Sequence, residues 1–333
     1  MRRFLISIAI SFLFTIIFII YVLSIFFSKP EITSPVEIKI PRNSSYSYTV
    51  NLCSENNLLR PAWLFKLSAK IYGIISGKKI YPGYYIFSPD NTKIRILKSL
   101  FSGKRIYTTI VTFPEGIGLK DFARILAQKV KVDSTEFIRL AQKEEFLARF
   151  GISAASAEGY LMPNTYELFY KQNADDVLSM LINEQLKLWK QKFAEKEANS
   201  KFSKHEILTL ASLIEAETSQ PDERKRVAGV FCNRLKRNMK LESDPTVQFA
   251  LGSKRKLSYK DLDYNNPYNT YQFAGLPPGP INCPGAASIE AAIEPEKNNF
   301  LYFVAIPGKS GKHNFASNYN QHLANVAKWR SGR

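Results

Sequence analysis

The sequence predicts an α+β protein in which one N-terminal transmembrane helix precedes a small α/β region and a larger mixed α+β domain. Three observations predict this class. The chain has 333 residues, of which 45% are apolar, which is enough for about two globular domains. One long uncharged apolar run lies near the N-terminus. After this run, short strand-like segments alternate with segments of helical periodicity. From about residue 156 this alternation gives way to a dense motif and longer helical segments.

The apolar run extends from Phe4 to Phe27. As a helix it would measure about 36 Å, which exceeds the roughly 30 Å of a bilayer's hydrocarbon core. The run is longer than the apolar part of a secretory signal, and it ends at Ser28-Lys29-Pro30 without a small-x-small cleavage site. We therefore predict an uncleaved transmembrane helix at 4–27. A buried core helix is the less favoured alternative, because no face of the run is polar.

Flanking charges predict the orientation of this helix. Arg2 and Arg3 precede it, whereas the first basic and the first acidic residue after it cancel. The positive-inside rule places residues 1–3 in the cytoplasm as a short stub and everything after the helix outside, beginning with a Pro/Ser tether at 28–36. The net charge of +17 would ordinarily favour nucleic acid as a partner, but export argues against it. The +15 that remains without the two arginines favours acidic envelope polymers or an anionic membrane surface.

The part of the chain from 37 to 155 has the pattern of small α/β units. Predicted strands are 37–40, 84–87 and 106–113, and predicted helices are 61–73, 94–100, 119–130 and 134–142. The order strand, turn, helix, helix occurs at 37–73 and again at 106–142, which indicates a weak internal repeat. Such units are more often recognition or spacer modules than catalytic ones.

From residue 156 to residue 333 the sequence predicts the larger domain. Helices are predicted at 174–197, at 204–218 behind a Ser203/Glu206 capping box, and from Pro221 onward. The stretch 264–287 is rich in proline and glycine. Long structured loops of this kind often carry functional sites.

The spacing of the cysteines and histidines predicts no metal or cofactor site. Three scattered cysteines are too few for a disulfide framework. His205-Glu206 begins like a zinc-protease motif, but position 209 is threonine, so the second ligand is missing. We predict neither a metal nor a cofactor.

Two glutamates flank the apolar face of the helix at 204–218. At about 100° per residue, Glu215 and Glu217 fall on opposite shoulders of the face that Leu210, Ala211 and Ile214 form. A carboxyl group at such a boundary can be partly desolvated, which raises its pKa towards the range of a general acid. Periodicity does not choose between the two glutamates. Two ordinary boundary glutamates on an exposed helix would give the same pattern.

A series of motifs runs through the second half of the chain. It consists of Glu158-Gly159-Tyr160 with Pro163-x-Thr165-Tyr166, then Leu210 to Thr218, Val230 to Leu235, Leu241 to Val247, Tyr268 to Tyr271, Gly275 to Ile281 with Pro284-Gly285, Leu301 to Val304, and His313-x-Phe315. In order and spacing these motifs resemble the endolytic murein transglycosylases, the MltG or YceG-like family. The resemblance spans the membrane anchor and nearly everything from 37 to 333.

The resemblance implies a LysM-like α/β region at 37–155 and a catalytic domain at 156–333. It also implies that Glu215, the first glutamate of the I-E-x-E-T motif, is the catalytic acid. Enzymes of this family cleave the bond between N-acetylmuramic acid and N-acetylglucosamine and leave a 1,6-anhydro end without consuming water. A glycosidase usually needs a second carboxylate. An intramolecular alcohol already held near the reacting carbon relaxes that need.

The substrate-binding residues that the motifs suggest are polar or aromatic. They are Glu158, Glu217, Asn233, Asp244, Tyr268, Asn269, Tyr271 and Asn314. The two glutamates would line the cleft or orient Glu215, and the others would bind sugar hydroxyl and acetamido groups or stack on sugar rings. Structural roles are open for each of them: Asp244 precedes a proline and could be a turn or cap residue, and a tyrosine is commonly a core residue.

We therefore expect a single-pass lytic transglycosylase in the cytoplasmic (inner) membrane of a bacterium. Its N-terminus would be inside and its catalytic domain on the periplasmic or extracellular face, where it would cut nascent glycan strands and help to terminate their elongation. The expected partners are peptidoglycan glycan strands, the membrane and, by resemblance alone, cell-wall synthases. Two alternatives remain: a non-catalytic peptidoglycan-binding or scaffold protein, and a glycosidase that uses Glu215 with Asp244 or Glu158 to activate water.

Overall fold

The structure is a computed structural model that describes residues 2–103, 108–308 and 310–332. Its internal contacts divide the chain into two compact units. The first comprises Met1–Thr109 with Phe169–Gln172, and the second comprises Ile110–Leu168 with Asn173–Arg333. The sequence placed a boundary near residue 155, whereas the compact units divide at residue 109. The assignment of 37–155 to one LysM-like region stays a prediction.

The N-terminal helix α1 spans Arg2–Phe27. Among the described residues it is the one helix that is long and apolar enough to cross a membrane, with a mean hydropathy of 2.8 over Ile6–Phe27. It is continuous because the sequence has neither proline nor glycine before Pro30. Length and composition thus meet the requirement for a span, as the sequence predicted.

The first unit is a two-stranded antiparallel sheet packed against helices. Its elements are β1 (Val36–Ile40), α2 (Tyr46–Glu55), α3 (Ala62–Ser76), β2 (Gly83–Phe87) and α4 (Lys93–Ser102). Val36 lies opposite Phe87, and Ile40 lies opposite Gly83. The predicted order at 37–73 includes two helices, but bounds were given only for the second. The bounds of α2 were not predicted, because strand-favouring residues such as Tyr48, Thr49 and Val50 fill its first half.

The predicted tether at 28–36 makes hydrogen bonds to the first unit. The Ser28 carbonyl accepts a hydrogen bond from the backbone N–H of Lys93 (3.0 Å), and the backbone N–H of Glu31 donates to the carbonyl of Asn57 (3.2 Å). Apolar side chains of the last turn of α1 pack against the core of the unit. The end of α1 is therefore continuous with that core.

The second unit begins with a second pair of strands. Strand β3 (Thr108–Thr112) pairs with β4 (Thr165–Phe169), and between them lie α5 (Leu119–Val130), α6 (Ser134–Ala141) and α7 (Glu144–Ala148). Residues 104–107, which include the start of the predicted strand 106–113, lie outside the described residues. Within their predicted bounds, both repeats thus have the order strand, helix, helix. A later strand pairs with the first strand of each repeat, and in the second repeat α7 lies before it.

The rest of the second unit is mostly helical. It contains α8 (Ala174–Lys192), α9 (Ala194–Ala198), α10 (Lys204–Glu217), α11 (Arg224–Lys236), α12 (Asp244–Leu251), a short 3-10 helix (Tyr259–Asp263), α13 (Ala286–Ile293), β5 (Tyr302–Ala305), β6 (His313–Ala316) and α14 (Tyr319–Ser331). Strands β5 and β6 are antiparallel, with Tyr302 opposite Ala316. The mixed α+β class predicted from the sequence is confirmed.

Helix α10 is the buried centre of this unit. Its capping box, formed by Ser203 and Glu206, is present as predicted, and every residue from 207 to 214 is buried. It packs against α11, α12 and α13, and a helix with no polar face requires such surroundings. The alternative of an exposed helix with two boundary glutamates is therefore wrong, since only 8% of the Glu215 side chain is exposed.

Candidate active site

Glu215 lies in the last turn of α10, between the N-terminal ends of two other helices. Its Oε2 accepts a hydrogen bond from the backbone N–H of Gly285 (3.1 Å), which is the N-cap of α13. Its Oε1 lies 3.5 Å from an Nη of Arg224, the first residue of α11. Helix N-termini carry partial positive charge. The site therefore stabilises negative charge on Glu215 from two directions.

A second carboxylate, Glu115, belongs to the same cluster. It comes from the loop before α5, and its Oε2 lies 3.9 Å from the Arg224 nitrogen that faces Glu215. Burial and then the charge of Glu215 raise the pKa of Glu115, while Arg224 partly lowers it. One guanidinium thus serves two carboxylates, so the cluster carries an excess negative charge unless one carboxyl group is protonated.

Two glycines allow this close approach. Gly116 has φ +76°, a left-handed conformation that side chains disfavour. A Cβ on Gly285 would overlap the Glu115 carboxylate. The loop is fixed in place because the N–H of Gly116 donates to the carbonyl of Cys283, and that of Cys283 donates to the carbonyl of Ile117 (both 2.9 Å).

Arg224 keeps one donor without a partner. Its side chain is 12% exposed, and its Nε is buried with no hydrogen-bond partner among the residues that the structure describes. Leaving a buried donor unpaired costs about 1–3 kcal/mol. Such groups call for an explanation, and a catalytic role is one.

Sequence reasoning missed both Glu115 and Arg224. Arg224 did offer a signal, because an arginine in the first turn of a helix opposes the positive helix end. Glu115 offered a weaker one, as an acid inside a Pro-Glu-Gly turn directly before a helix. Neither signal indicates that the two residues meet Glu215, which lies 100 residues beyond Glu115 in the chain.

Glu217, Asp244 and Tyr271 come together at the same end of α10. The hydroxyl of Ser243 donates to Glu217, and the hydroxyl of Tyr271 donates to the exposed Asp244 (2.7 Å). Burial raises the pKa of Glu217 to about 7, and the charge of Asp244 contributes to the increase. These three predicted residues form one group, which includes a carboxylate and a phenol at the surface.

Glu158 occupies a third cluster, next to the same loop. Both of its carboxylate oxygens accept from the backbone N–H of Leu119 (3.2 Å each), the first residue of α5. Burial raises the pKa of Glu158 to about 7, although this hydrogen bond opposes the change. Burial and then the charge of Glu158 raise the pKa of Tyr268.

The remaining predicted residues are asparagines. The side-chain N–H groups of Asn233 and Asn269 donate to backbone carbonyls, at 298 and 300 for Asn233 and at 262 and 264 for Asn269. Asn314 is half-buried on β6, opposite Val304. The donors of Asn233 and Asn269 are thus occupied within the fold, and substrate binding by the three asparagines stays a prediction.

His205 belongs to a hydrogen-bond chain. Its Nε2 lies 2.8 Å from the carbonyl of Pro278, which can only accept, so Nε2 carries the proton. In the neutral imidazole, Nδ1 then accepts a hydrogen bond from the hydroxyl of Tyr160 (2.8 Å). Within the described part of the chain, no group of three or more His, Cys, Asp or Glu residues could hold a metal ion.

Glu158 should make folding stability depend on pH. Its pKa is about 7 in the folded protein and near the ordinary 4.5 when unfolded, so the folded state binds the proton more tightly. The stabilisation is therefore complete below about pH 4.5 and is lost as the pH rises through about 7, by up to about 3 kcal/mol. Glu158→Gln cannot ionise and should flatten the dependence. Thermal unfolding of the detergent-solubilised chain across this range measures the change.

Glu217 has a raised pKa as well, so its contribution has the same sign. The double variant Glu158→Gln/Glu217→Gln should be flatter than either single variant. If stability depended on pH in Glu158→Gln just as it does in the wild type, this carboxyl group would be already ionised in the folded protein at neutral pH.

Comparison with known proteins identifies the group to which the chain belongs. A family model described as the YceG-like family matches residues 38–328. The chain belongs to this family. It is similar to an endolytic murein transglycosylase of Bacillus subtilis (strain 168), with 33% identity over 81% of this chain and 78% of the relative.

Two further relatives agree with this assignment. An endolytic murein transglycosylase of Streptococcus pneumoniae serotype 2 is 29% identical over 88% of this chain, which spans 58% of that relative's length. The crystal structure of a yceG-like protein from Listeria monocytogenes is similar with a TM-score of 0.61 and 30% identity, covering 89% of this chain and 99% of that one.

Proposed function

We propose that this protein is a peptidoglycan lytic transglycosylase and that Glu215 is its catalytic acid. The observation that carries the proposal is the setting of Glu215: a nearly buried carboxylate held by Arg224 and a backbone N–H, with a second carboxylate beside the same arginine. The names of its relatives support the substrate class, because endolytic murein transglycosylases act on peptidoglycan.

In the proposed reaction, protonated Glu215 donates its proton to the oxygen that links N-acetylmuramic acid to N-acetylglucosamine. The bond between this oxygen and C1 of the muramic sugar breaks, and positive charge develops at C1. The Glu215 carboxylate then accepts the proton of the muramic C6 hydroxyl as O6 bonds to C1. Glu215 ends protonated again, the product carries a 1,6-anhydro ring, and no water is consumed.

The neighbours of Glu215 fit the second half of this cycle. After the first proton transfer, Arg224 and the N–H of Gly285 stabilise the carboxylate that forms on Glu215. Arg224 is thus a positioning residue, and it also lies beside Glu115, whose pKa burial and the charge of Glu215 raise.

The finer parts of the proposal concern substrate and location. Asp244 and Tyr271 present polar groups at the end of α10 and would bind sugar hydroxyl groups. The helix α1 would anchor the chain in the cytoplasmic membrane with its N-terminus inside. The enzyme would then cut nascent strands as they leave the membrane surface, and this would terminate their elongation.

A digestion of purified peptidoglycan by the detergent-solubilised full chain tests the function. We expect mass spectrometry of the products to find new 1,6-anhydro-muramic ends. Absence of any cleavage would indicate a peptidoglycan-binding scaffold instead, and it would overturn the proposal.

A hydrolase is the second candidate, because the cluster holds two carboxylates. Glu115 shares the Arg224 nitrogen with Glu215, and a second carboxylate near the acid is what a glycosidase needs to activate water. New reducing ends in the same digestion would support this candidate, with Glu115 rather than Asp244 or Glu158 as the base. Anhydro ends would exclude it.

A further inference from the structure

Helix α3 has apolar side chains on two opposite faces. Leu64, Phe65 and Ala69 are buried in the core of the first unit. The other face is exposed, and its side chains have exposed fractions of 47% to 80%: Trp63, Leu67, Ile71, Ile74 and Ile75. At about 100° per residue, the exposed set covers an arc opposite Phe65 and Ala69, and the buried Leu64 lies within that arc. Contiguous exposed apolar side chains on a helix that is already packed on another face indicate a contact with protein or lipid.

The position of α3 in the first unit indicates which partner. The ring of Phe65 packs edge-on against the ring of Phe26 in the last turn of α1, with centroids 5.0 Å apart. If α1 crosses the bilayer, its last turn lies at the outer edge of the hydrocarbon. The start of α3 then lies at the level of the lipid headgroups, where an apolar face can contact lipid without leaving the first unit.

Basic residues border this apolar face. Lys66 and Lys70 follow one edge of it along the helix, and Lys78 and Lys79 come directly after the helix ends. A helix with an apolar face and a lysine-rich border is typical of a segment that lies in the membrane interface. The positive charge favours anionic lipids.

A groove at the junction of α1, α3 and α4 adds a binding site of matching chemistry. It has a volume of about 420 Å³, and its lining includes Tyr21, Ile25, Arg60 and Lys93. Lys93 is only 7% exposed, and no hydrogen bond or ion pair of its Nζ occurs among the described residues. The Nζ itself is not among the fully buried nitrogen and oxygen atoms that lack a partner, so it reaches the open groove. An anion in the groove would provide a counter-ion for it.

Other charges at the groove favour an anion too. Lys93 is the first residue of α4, so the positive end of that helix lies at the groove. Arg60 is a second cation, and its Nε donates to the carbonyl of Ser54. Glu31 is an exposed acid in the lining. Two cations against one carboxylate leave the groove positive.

We propose that the first unit binds the surface of the membrane that α1 enters, with the exposed face of α3 in the interface and the phosphate of an anionic phospholipid between Lys93 and Arg60. This inference rests on the part of the proposed function that makes α1 a membrane anchor. It adds a second, peripheral attachment and a specific lipid site, neither of which an anchor requires.

Fluorescence of Trp63 tests the apolar face. The full chain is reconstituted into vesicles of phosphatidylglycerol and phosphatidylcholine that contain brominated lipid, and the difference between wild type and Trp63→Phe isolates the emission of Trp63. We expect this emission to be shifted to the blue, and to be quenched more by lipid brominated near the headgroup than near the chain end. Trp329→Phe is the matched control, because it should leave the Trp63 signal intact.

Extraction with alkaline carbonate separates the two possible failures. A chain that is washed from the vesicles has no inserted α1, so the anchor of the proposed function and this inference fail together. A chain that is retained while Trp63 is neither shifted nor quenched keeps its anchor, and in that case only the inference is overturned.

Lipid retention tests the groove. The full chain is exchanged from phosphatidylglycerol or phosphatidylcholine into detergent and weighed by native mass spectrometry. We expect one phosphatidylglycerol to remain on the wild type, and Lys93→Met to weaken its retention about tenfold, the loss expected for one charge-assisted hydrogen bond. Lys98→Met removes an exposed lysine of the same helix α4 and should have no effect. Equal retention of the two lipids, or equal loss in the two variants, would overturn the site.

Discussion

Replacing Glu215 with glutamine should lower the rate of glycan cleavage by at least about 100-fold, the contribution typical of a positioned general acid. Glutamine has nearly the same shape and can still accept the hydrogen bond from Gly285, but it cannot donate a proton and take one back. The rate of formation of new ends in the peptidoglycan digestion measures this loss. A thermal unfolding curve of the variant should remain close to that of the wild type.

Glu290→Gln is the matched control for this variant. Glu290 lies on α13, the helix whose N-cap contacts Glu215, but its side chain is 46% exposed and pairs with Lys225. Its replacement should leave the rate unchanged. Full activity of Glu215→Gln would show that the acid is assigned wrongly. Glu217, two residues further along the same helix and partly buried, would then be the next candidate.

Arg224→Gln should lower the rate of cleavage, whereas Glu115→Gln should retain most of it. An Nη of Arg224 lies 3.5 Å from Oε1 of Glu215, so Arg224 is the cation beside the carboxylate that forms after proton transfer. Loss of one such preorganised group typically lowers kcat by about 100- to 1,000-fold. Glu115→Gln keeps both this cation and the N–H of Gly285 beside Glu215, and kcat of each variant in the peptidoglycan digestion measures the difference.

The two variants should also differ in their stability against unfolding. Arg224→Gln leaves two partly buried carboxylates without their cation, and breaking a buried ion pair in this way costs about 3–5 kcal/mol of stability. It should also lower kcat, because the carboxylate that forms on Glu215 loses its stabilising charge. Glu115→Gln removes a repulsion, so it should fold at least as well as the wild type.

Lys225→Gln is the control for both, since Lys225 follows Arg224 on α11 but is half-exposed and pairs with surface carboxylates. Its kcat should match that of the wild type. An unchanged kcat in Arg224→Gln would show that this arginine supports the fold and does not stabilise the Glu215 carboxylate.

Local signals explain why much of the fold could be predicted. The bounds of α5 follow from its apolar period and agree with the prediction of 119–130. Helix α4 ends where Gly103 adopts a left-handed conformation, as predicted from that glycine. The split between α8 and α9 at Phe193 and the bounds of α2 were not predicted, because tertiary packing decides both against weak local preferences.

The features of the site also differ in how far they could be predicted. The long apolar helix, the capping box of α10 and the order of motifs that indicates the family are properties of neighbouring residues, so they could be predicted from the sequence. The different surroundings of Glu215 and Glu217, one beside Arg224 and Gly285 and the other beside Ser243, depend on the packing of the folded chain. Only the tertiary structure brought Glu115 to the cluster, because residues this far apart in the chain meet through the packing of α10 against α11 and α13 and through the pairing of two loops.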